Sequence, residues 1–163
     1  MIKLDEIKGK VKNALDTFYK NDSFLIENKL CERCLVHRLA VYLENERFPD
    51  YFIDCEYNKI YRDQKSMPKI ASNLNGNFID IIITKRDDNR QNDLVCFEIK
   101  KWDNYRGRKK DIENLEILTK GDRFGYDYGF YIILGKIKEK TKIEVYRKGN
   151  KTEEFKLVDE NEI

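Results

Sequence analysis

Apolar residues at helical spacing open the chain. Ile7, Val11, Leu15 and Phe18 recur every three or four positions across residues 5–19, which predicts an amphipathic helix broken by Asn21-Asp22-Ser23. A second helix is expected from about Asn28 to Glu46, ended by Phe48-Pro49-Asp50. The period then shortens. Residues 51–58 (YFIDCEYN) read as a strand, and 59–76 as a polar loop closing on the turn signal Asn75-Gly76. Residues 78–84 form a β-branched run holding one carboxylate, Asp80, and residues 94–100 form the next strand after a polar loop over 85–93. A basic loop over 101–110 leads to a helix near 109–119 with Ile112, Leu115 and Leu118 inward. Residues 128–134 (YGFYIIL) are almost continuously apolar, as a buried central strand requires. The runs 143–146 and 155–158 flank Gly149-Asn150 and predict a terminal hairpin. Helix, helix, three strands, helix, strand and hairpin pack most simply as an α/β fold, one mixed sheet covered by helices.

Composition narrows this picture. A chain of 163 residues fits one domain, 1–163, large enough to bury a core. Its 32 basic and 30 acidic side chains leave a formal charge of +2, so a polyanion would have to be held by a local basic patch. Only 2 Pro and 8 Gly argue against a long linker. Residues 1–8 are charged and lack the apolar core of a signal peptide, and no stretch approaches the ~18 apolar residues of a membrane span. The 4 Cys, without an export signal, then read as reduced thiols, and a cytoplasmic location is expected.

The candidate chemistry lies on the strands. Side chains alternate faces along a strand, so Asp80 shares a face with Ile82, and Glu98 with Cys96 and Lys100. Antiparallel pairing around the 85–93 loop can bring Asp80 beside Glu98, at ~5 Å if directly opposed and ~7–8 Å on the diagonal. Either separation lets two carboxylates grip one divalent cation. The plainer alternative is a half-exposed hairpin with solvated charges. Against it, Asp80 interrupts an apolar run where Asp is disfavoured, and Glu98 and Lys100 share a face of an equally apolar partner. A Mg²⁺ on hard oxygen ligands supplies Lewis acidity and lowers the pKa of a bound water. Lys100 would position or deprotonate that water, or stabilise developing negative charge.

Glu32 adds a third acid. On the second helix Leu35, Val36, Leu39 and Leu43 fall within ~60° of it, so it points toward the sheet. Its role there is metal binding, or else that of a first-turn charge favoured by the helix dipole or of a salt-bridge partner to a sheet lysine.

With these residues in view, the chain resembles the PD-(D/E)XK superfamily, the restriction-endonuclease-like nucleases. Glu32, Asp80 and Glu98-Ile99-Lys100 stand in that family's order over a core of about 29–134, with 1–28 as an additional N-terminal helix and 135–163 as a C-terminal hairpin and tail. Glu32-Arg33, His37 to Glu44, Asp54 to Asn58, Asp80-Ile81-Ile82 and Glu98 to Lys101 are similar to a group of small stand-alone members. The motif's Pro is Ile79 here. The resemblance implies an αβββαβ core and Mg²⁺ (or Mn²⁺) held by Asp80, Glu98 and the Ile99 carbonyl. It further implies that Glu32 assists and Lys100 is the catalytic cation. The implied activity is phosphodiester hydrolysis of nucleic acid, DNA rather than RNA, with a homodimer as one way to cut two strands. The alternative is a catalytically idle nuclease-fold module that binds nucleic acid or a protein partner.

Lys101, Trp102, Tyr105, Arg106, Arg108, Lys109 and Lys110 form a basic and aromatic patch suited to phosphate contact and base stacking, or else a solvated helix start. Glu56 shares a strand face with Asp54 and Asn58; it reads first as an exposed strand residue and second as a further member of the site. Cys31-x-x-Cys34 lacks a second pair for zinc and reads as structural thiols packed against the first helix. The single His, His37, lies ~140° from Glu32 around the helix, which argues against His-based hydrolysis. No Gly-rich phosphate loop is present.

Overall fold

The computed structural model describes residues 2–57, 79–86, 93–121 and 125–158, with only the backbone for 56 and 57. The Asn75-Gly76 turn and most of the two polar loops before and after Asp80 lie outside these residues. The elements are α1 (Leu4–Glu27), α2 (Glu32–Asn45), β1 (Phe52–Tyr57), β2 (Ile79–Thr84), β3 (Val95–Lys101), α3 (Arg108–Leu118), β4 (Tyr128–Leu134), β5 (Lys142–Arg147) and β6 (Asn150–Lys156). This is an α/β protein: two N-terminal helices, a six-stranded mixed sheet and one further helix.

The strands lie in sequence order, β1 to β6. Every neighbouring pair is antiparallel except β3 and β4, which run parallel because α3 crosses between them. α1 and α2 cover one face, where Ile7, Val11, Leu15, Leu35 and Leu39 meet Ile81, Phe97, Ile99 and Phe130 in the larger apolar core. α3 covers the other face, where Leu115 and Leu118 pack on Ile82, Cys96, Tyr131 and Tyr146. With layers on both sides β4 is buried nearly throughout, which is why its sequence shows no alternation.

Two helix boundaries differ from the sequence pattern. α1 does not stop at Asn21-Asp22-Ser23 but bends at Asp22 (φ −129°, ψ 18°) and runs on to Glu27. The Asp22 carboxylate accepts from Arg38 Nε (2.8 Å) and Tyr42 Oη (2.5 Å), so contacts to α2 hold the bend. α2 begins at Glu32 rather than near Asn28, because Lys29 takes a left-handed φ of 53° and turns the chain. The C-terminal hairpin forms as expected, with β6 starting directly after the Lys148-Gly149 turn.

The β4 exit ties the helical layer to the sheet. Tyr19 Oη donates to the Gly135 carbonyl (2.8 Å) and shares a hydrogen bond with Thr141 Oγ1 (2.5 Å), which accepts from the Gly135 amide (3.1 Å). A Cβ on Gly135 would stand 2.6 Å from the Ile137 carbonyl oxygen and 2.6 Å from the Lys140 carbonyl carbon, both backbone atoms. Gly135→Ala is therefore expected to cost about 1–3 kcal/mol by overpacking. An unshifted urea midpoint would show that this corner yields freely.

Candidate functional site

The β2–β3 ladder pairs Ile83 with Val95, Ile82 with Cys96 and Ile81 with Phe97. One step further brings Asp80 opposite Glu98. There the Ile99 amide donates to Asp80 Oδ2 (2.7 Å), so a side chain takes up a strand N–H. On the other flank of β2, Cys55 faces Ile81 and Tyr57 faces Ile79, which puts the Glu56 backbone at the register position of Asp80. Glu98 aligns with Tyr131, and Tyr131 with Glu144. An acidic row thus crosses the sheet: Asp80, Glu98 and, past Tyr131, Glu144. Alternation puts it on the face that α3 covers.

Burial makes these charges expensive. Glu98 is 3% exposed, and one oxygen accepts from Asn114 Nδ2 (3.2 Å). Burial, reinforced by the charges of Asp80 and Asp111, raises its carboxyl well above the ordinary range, against the pull of Asn114 and Lys100. Burial likewise pushes Asp80 up to about 7, opposed by the Ile99 amide and Lys100 and assisted by Glu32 and Asp111. Two opposed carboxylates that resist ionisation would be relieved by a cation between them.

Lys100 is engaged from two helices. Its Nζ lies 3.1 Å from Glu32 Oε1 and 3.4 Å from Asp111 Oδ2, with 16% of the lysine side chain exposed. Burial alone would lower its pKa, but Asp111, Glu32 and Asp80 outweigh that and hold the ammonium above the ordinary lysine range. Lys100 therefore stays charged. Of the roles open to it in the sequence, deprotonating a water is disfavoured, and stabilising anionic oxygen or orienting water remains.

Glu32 occupies the place its helix phase predicts, at the C-terminal end of β3. Besides Lys100, its Oε2 accepts from the Lys101 amide (3.2 Å) and Asn104 Nδ2 (3.0 Å). This is the pairing to a sheet lysine, and Glu32 is saturated by donors. Among the described residues, no group of three or more His, Cys, Asp or Glu side chains is arranged to hold a metal ion. What the backbone brings together is the opposed pair Asp80 and Glu98, with Lys100 on their face.

Two members of the site escaped the sequence reading. Asp111 and Asn114 extend the inward stripe of α3 that carries Leu115 and Leu118, and both are buried. Asp111 Oδ2 is buried without a hydrogen bond; its contact is the Lys100 ammonium. The signal was available, since the 100° rule that placed Glu32 puts both residues on the same stripe.

The basic patch is only partly available to a ligand. Lys101 Nζ is tied to the Leu30 carbonyl (3.2 Å) and lies 3.9 Å from Asp103. Arg108 pairs with buried Glu144 (3.0 Å) and lies over the Tyr131 ring. Trp102, Tyr105, Arg106, Lys109 and Lys110 are exposed, Tyr105 at 77%.

Among the described residues, no helix is long and apolar enough to cross a membrane. Comparison with protein-family models, with curated proteins and with solved structures finds no match for this chain.

Proposed function

We propose that this chain is a metal-dependent phosphodiesterase acting on nucleic acid, DNA rather than RNA, built on a PD-(D/E)XK-type αβββαβ core over about residues 29–134. The observation that carries the reading is the opposition of Asp80 and Glu98 across β2 and β3, the first half-buried, the second buried and both resisting ionisation, with charged Lys100 on the same face. The order of α2, β1–β3, α3 and β4 is consistent with the core that the resemblance implies.

The donor set suits Mg²⁺ or Mn²⁺, hard cations that prefer carboxylate and carbonyl oxygens. Asp80, Glu98 and the Ile99 carbonyl would hold the ion, and Glu56 stands at the right register to join them. Such an ion supplies Lewis acidity and a nucleophilic water near neutral pH. Asn114 steadies Glu98, and the Ile99 amide steadies Asp80. Lys100, kept cationic by Glu32 and Asp111, favours the charge that builds on the phosphoryl oxygens. Trp102, Tyr105 and Arg106, just beyond β3, offer stacking and phosphate contacts to the flanking strand.

One observation favours the idle-module alternative: Glu32 is fully engaged by Lys100, Lys101 and Asn104 rather than left for a metal. Incubation with single- and double-stranded DNA and RNA plus Mn²⁺ separates the readings. Cleavage is expected, falling at least ~10²-fold in Glu98→Ala and Lys100→Ala. Cleavage persisting in both variants, or none from any substrate, overturns the enzymatic reading.

A further inference from the structure

Cys31 and Cys34 are not packed thiols. Cys31 is exposed and Cys34 half-buried, and their sulfurs stand 2.9 Å apart. Cys31 is the residue before the first turn of α2, with extended backbone and no side-chain cap (φ −63°, ψ 148°). The Cys34 amide donates to the Cys31 carbonyl (3.0 Å), and that turn brings the two side chains together. Less than 1 Å of further approach reaches the ~2.05 Å of a disulfide. Among the described residues no third His, Cys, Asp or Glu joins them in a metal-binding group, which leaves the zinc reading unsupported.

The four thiols sort by surroundings. Cys96 is buried, its thiol raised well above the ordinary range by burial first and then by Glu98. Cys55 is exposed, on edge strand β1. Cys31 is lowered because the Cys34 thiol and amide donate to it, with Arg33 adding positive charge. Cys34 is raised by its hydrogen bond to Cys31 and by burial. An accessible nucleophilic thiol at a helix start with a second thiol in contact is the arrangement that thiol–disulfide exchange uses.

We propose that Cys31 and Cys34 form a redox-active dithiol that closes to an intramolecular disulfide by exchange with a small disulfide such as glutathione disulfide. The Cys31 thiolate attacks one sulfur of the disulfide, forming a mixed disulfide and releasing one glutathione thiolate. The Cys34 thiolate then attacks Cys31 Sγ, forming the Cys31–Cys34 bond and releasing the second glutathione. Two protein thiols are oxidised, one glutathione disulfide is reduced to two thiols, and two protons pass from the cysteines to the leaving thiolates. The pair flanks Glu32 in sequence, and the neighbouring Leu30 carbonyl holds Lys101, so the exchange occurs in the segment that clamps the end of β3.

The full chain, reduced and freed of metal by a chelator, is incubated with glutathione disulfide and followed by intact mass and peptide mapping. The expected product has lost two hydrogens and yields a linked Cys31–Cys34 peptide, in wild type and in Cys55→Ser alike. Cys34→Ser is expected to stop at a glutathione adduct on Cys31, and Cys31→Ser to react at least ~10-fold more slowly. Cys31 and Cys34 remaining alkylatable while Cys55 carries glutathione overturns the proposal. So does a stable Cys31 adduct in wild type with no internal disulfide. Both positions reach the surface, and far-UV circular dichroism verifies each variant's fold; mapping of the wild type decides alone if a variant does not fold.

Discussion

Lys100→Met is expected to destabilise the metal-free protein at pH 8 by about 2–4 kcal/mol, as removing one partner of a largely buried ion pair does. The ammonium stands between Glu32 and Asp111, whose side chains are only 23% and 12% exposed. Met keeps the stem's volume and removes the charge. Glu32 retains the Lys101 amide and Asn104, but Asp111 Oδ2 has no hydrogen bond to fall back on. Most of the penalty therefore falls on Asp111. Adding Asp111→Asn to Lys100→Met should recover more than half of the loss, and Glu32→Gln less. The penalty also shrinks toward pH 5, because Asp111, already raised by burial, rises further without Lys100 and takes up a proton. A group raised in the folded state contributes stability below its unfolded pKa and loses it as pH climbs. Urea unfolding of the four proteins at both pH values measures this. Equal stability of wild type and Lys100→Met would mean that the pair is solvent-screened and adds little.

Period decided what was legible in the sequence. β4 and the β2 and β3 runs were readable to within a residue or two, because a core strand writes itself as a dense apolar run. Asp80 and Glu98 stood out as charges against that background, and antiparallel parity put them on one face. Register was not legible, since it depends on a loop whose length alone does not fix the pairing. The bend at Asp22 was hidden for another reason. Asn-Asp-Ser is a helix breaker locally, and only Arg38 and Tyr42, contributed by α2, make continuing worthwhile. Asp111 and Arg108 show the same limit. A polar residue near a helix start reads as solvated until the sheet beneath supplies Lys100 or Glu144 as its partner. Cys31 fails in the opposite direction: thiols are commonly buried, and this one sits at an exposed turn.

Asp80→Asn and Glu98→Gln are expected to make the metal-free protein more stable at pH 8, by an amount of the order of 1–3 kcal/mol each, while abolishing its response to Mn²⁺. Asn keeps an oxygen to accept the Ile99 amide, and Gln one to accept from Asn114, so neither substitution strands a donor. What each removes is a carboxyl whose ionisation burial disfavours. Asp80 is raised from 3.8 to about 7, so the stability it contributes is complete below pH 3.8 and is lost as pH rises through about 7. Glu98, raised by burial and by Asp80, acts with the same sign. Wild type should therefore melt lower at pH 8 than at pH 5.5, and each variant should show a flatter profile. A divalent cation that binds the folded form alone reverses the trend, through a gain of RT ln(1 + [L]/Kd), about 2.7 kcal/mol at a hundredfold excess over Kd. Thermal melts at both pH values, with and without Mn²⁺, give three separable results. Loss of stability at pH 8 restored by Mn²⁺ in wild type alone supports a metal site at the opposed carboxylates. The same loss without rescue leaves two strained charges and favours the idle module. A profile identical in wild type and both variants would mean that Asp80 and Glu98 ionise freely, and the physical case for the site would fall with it.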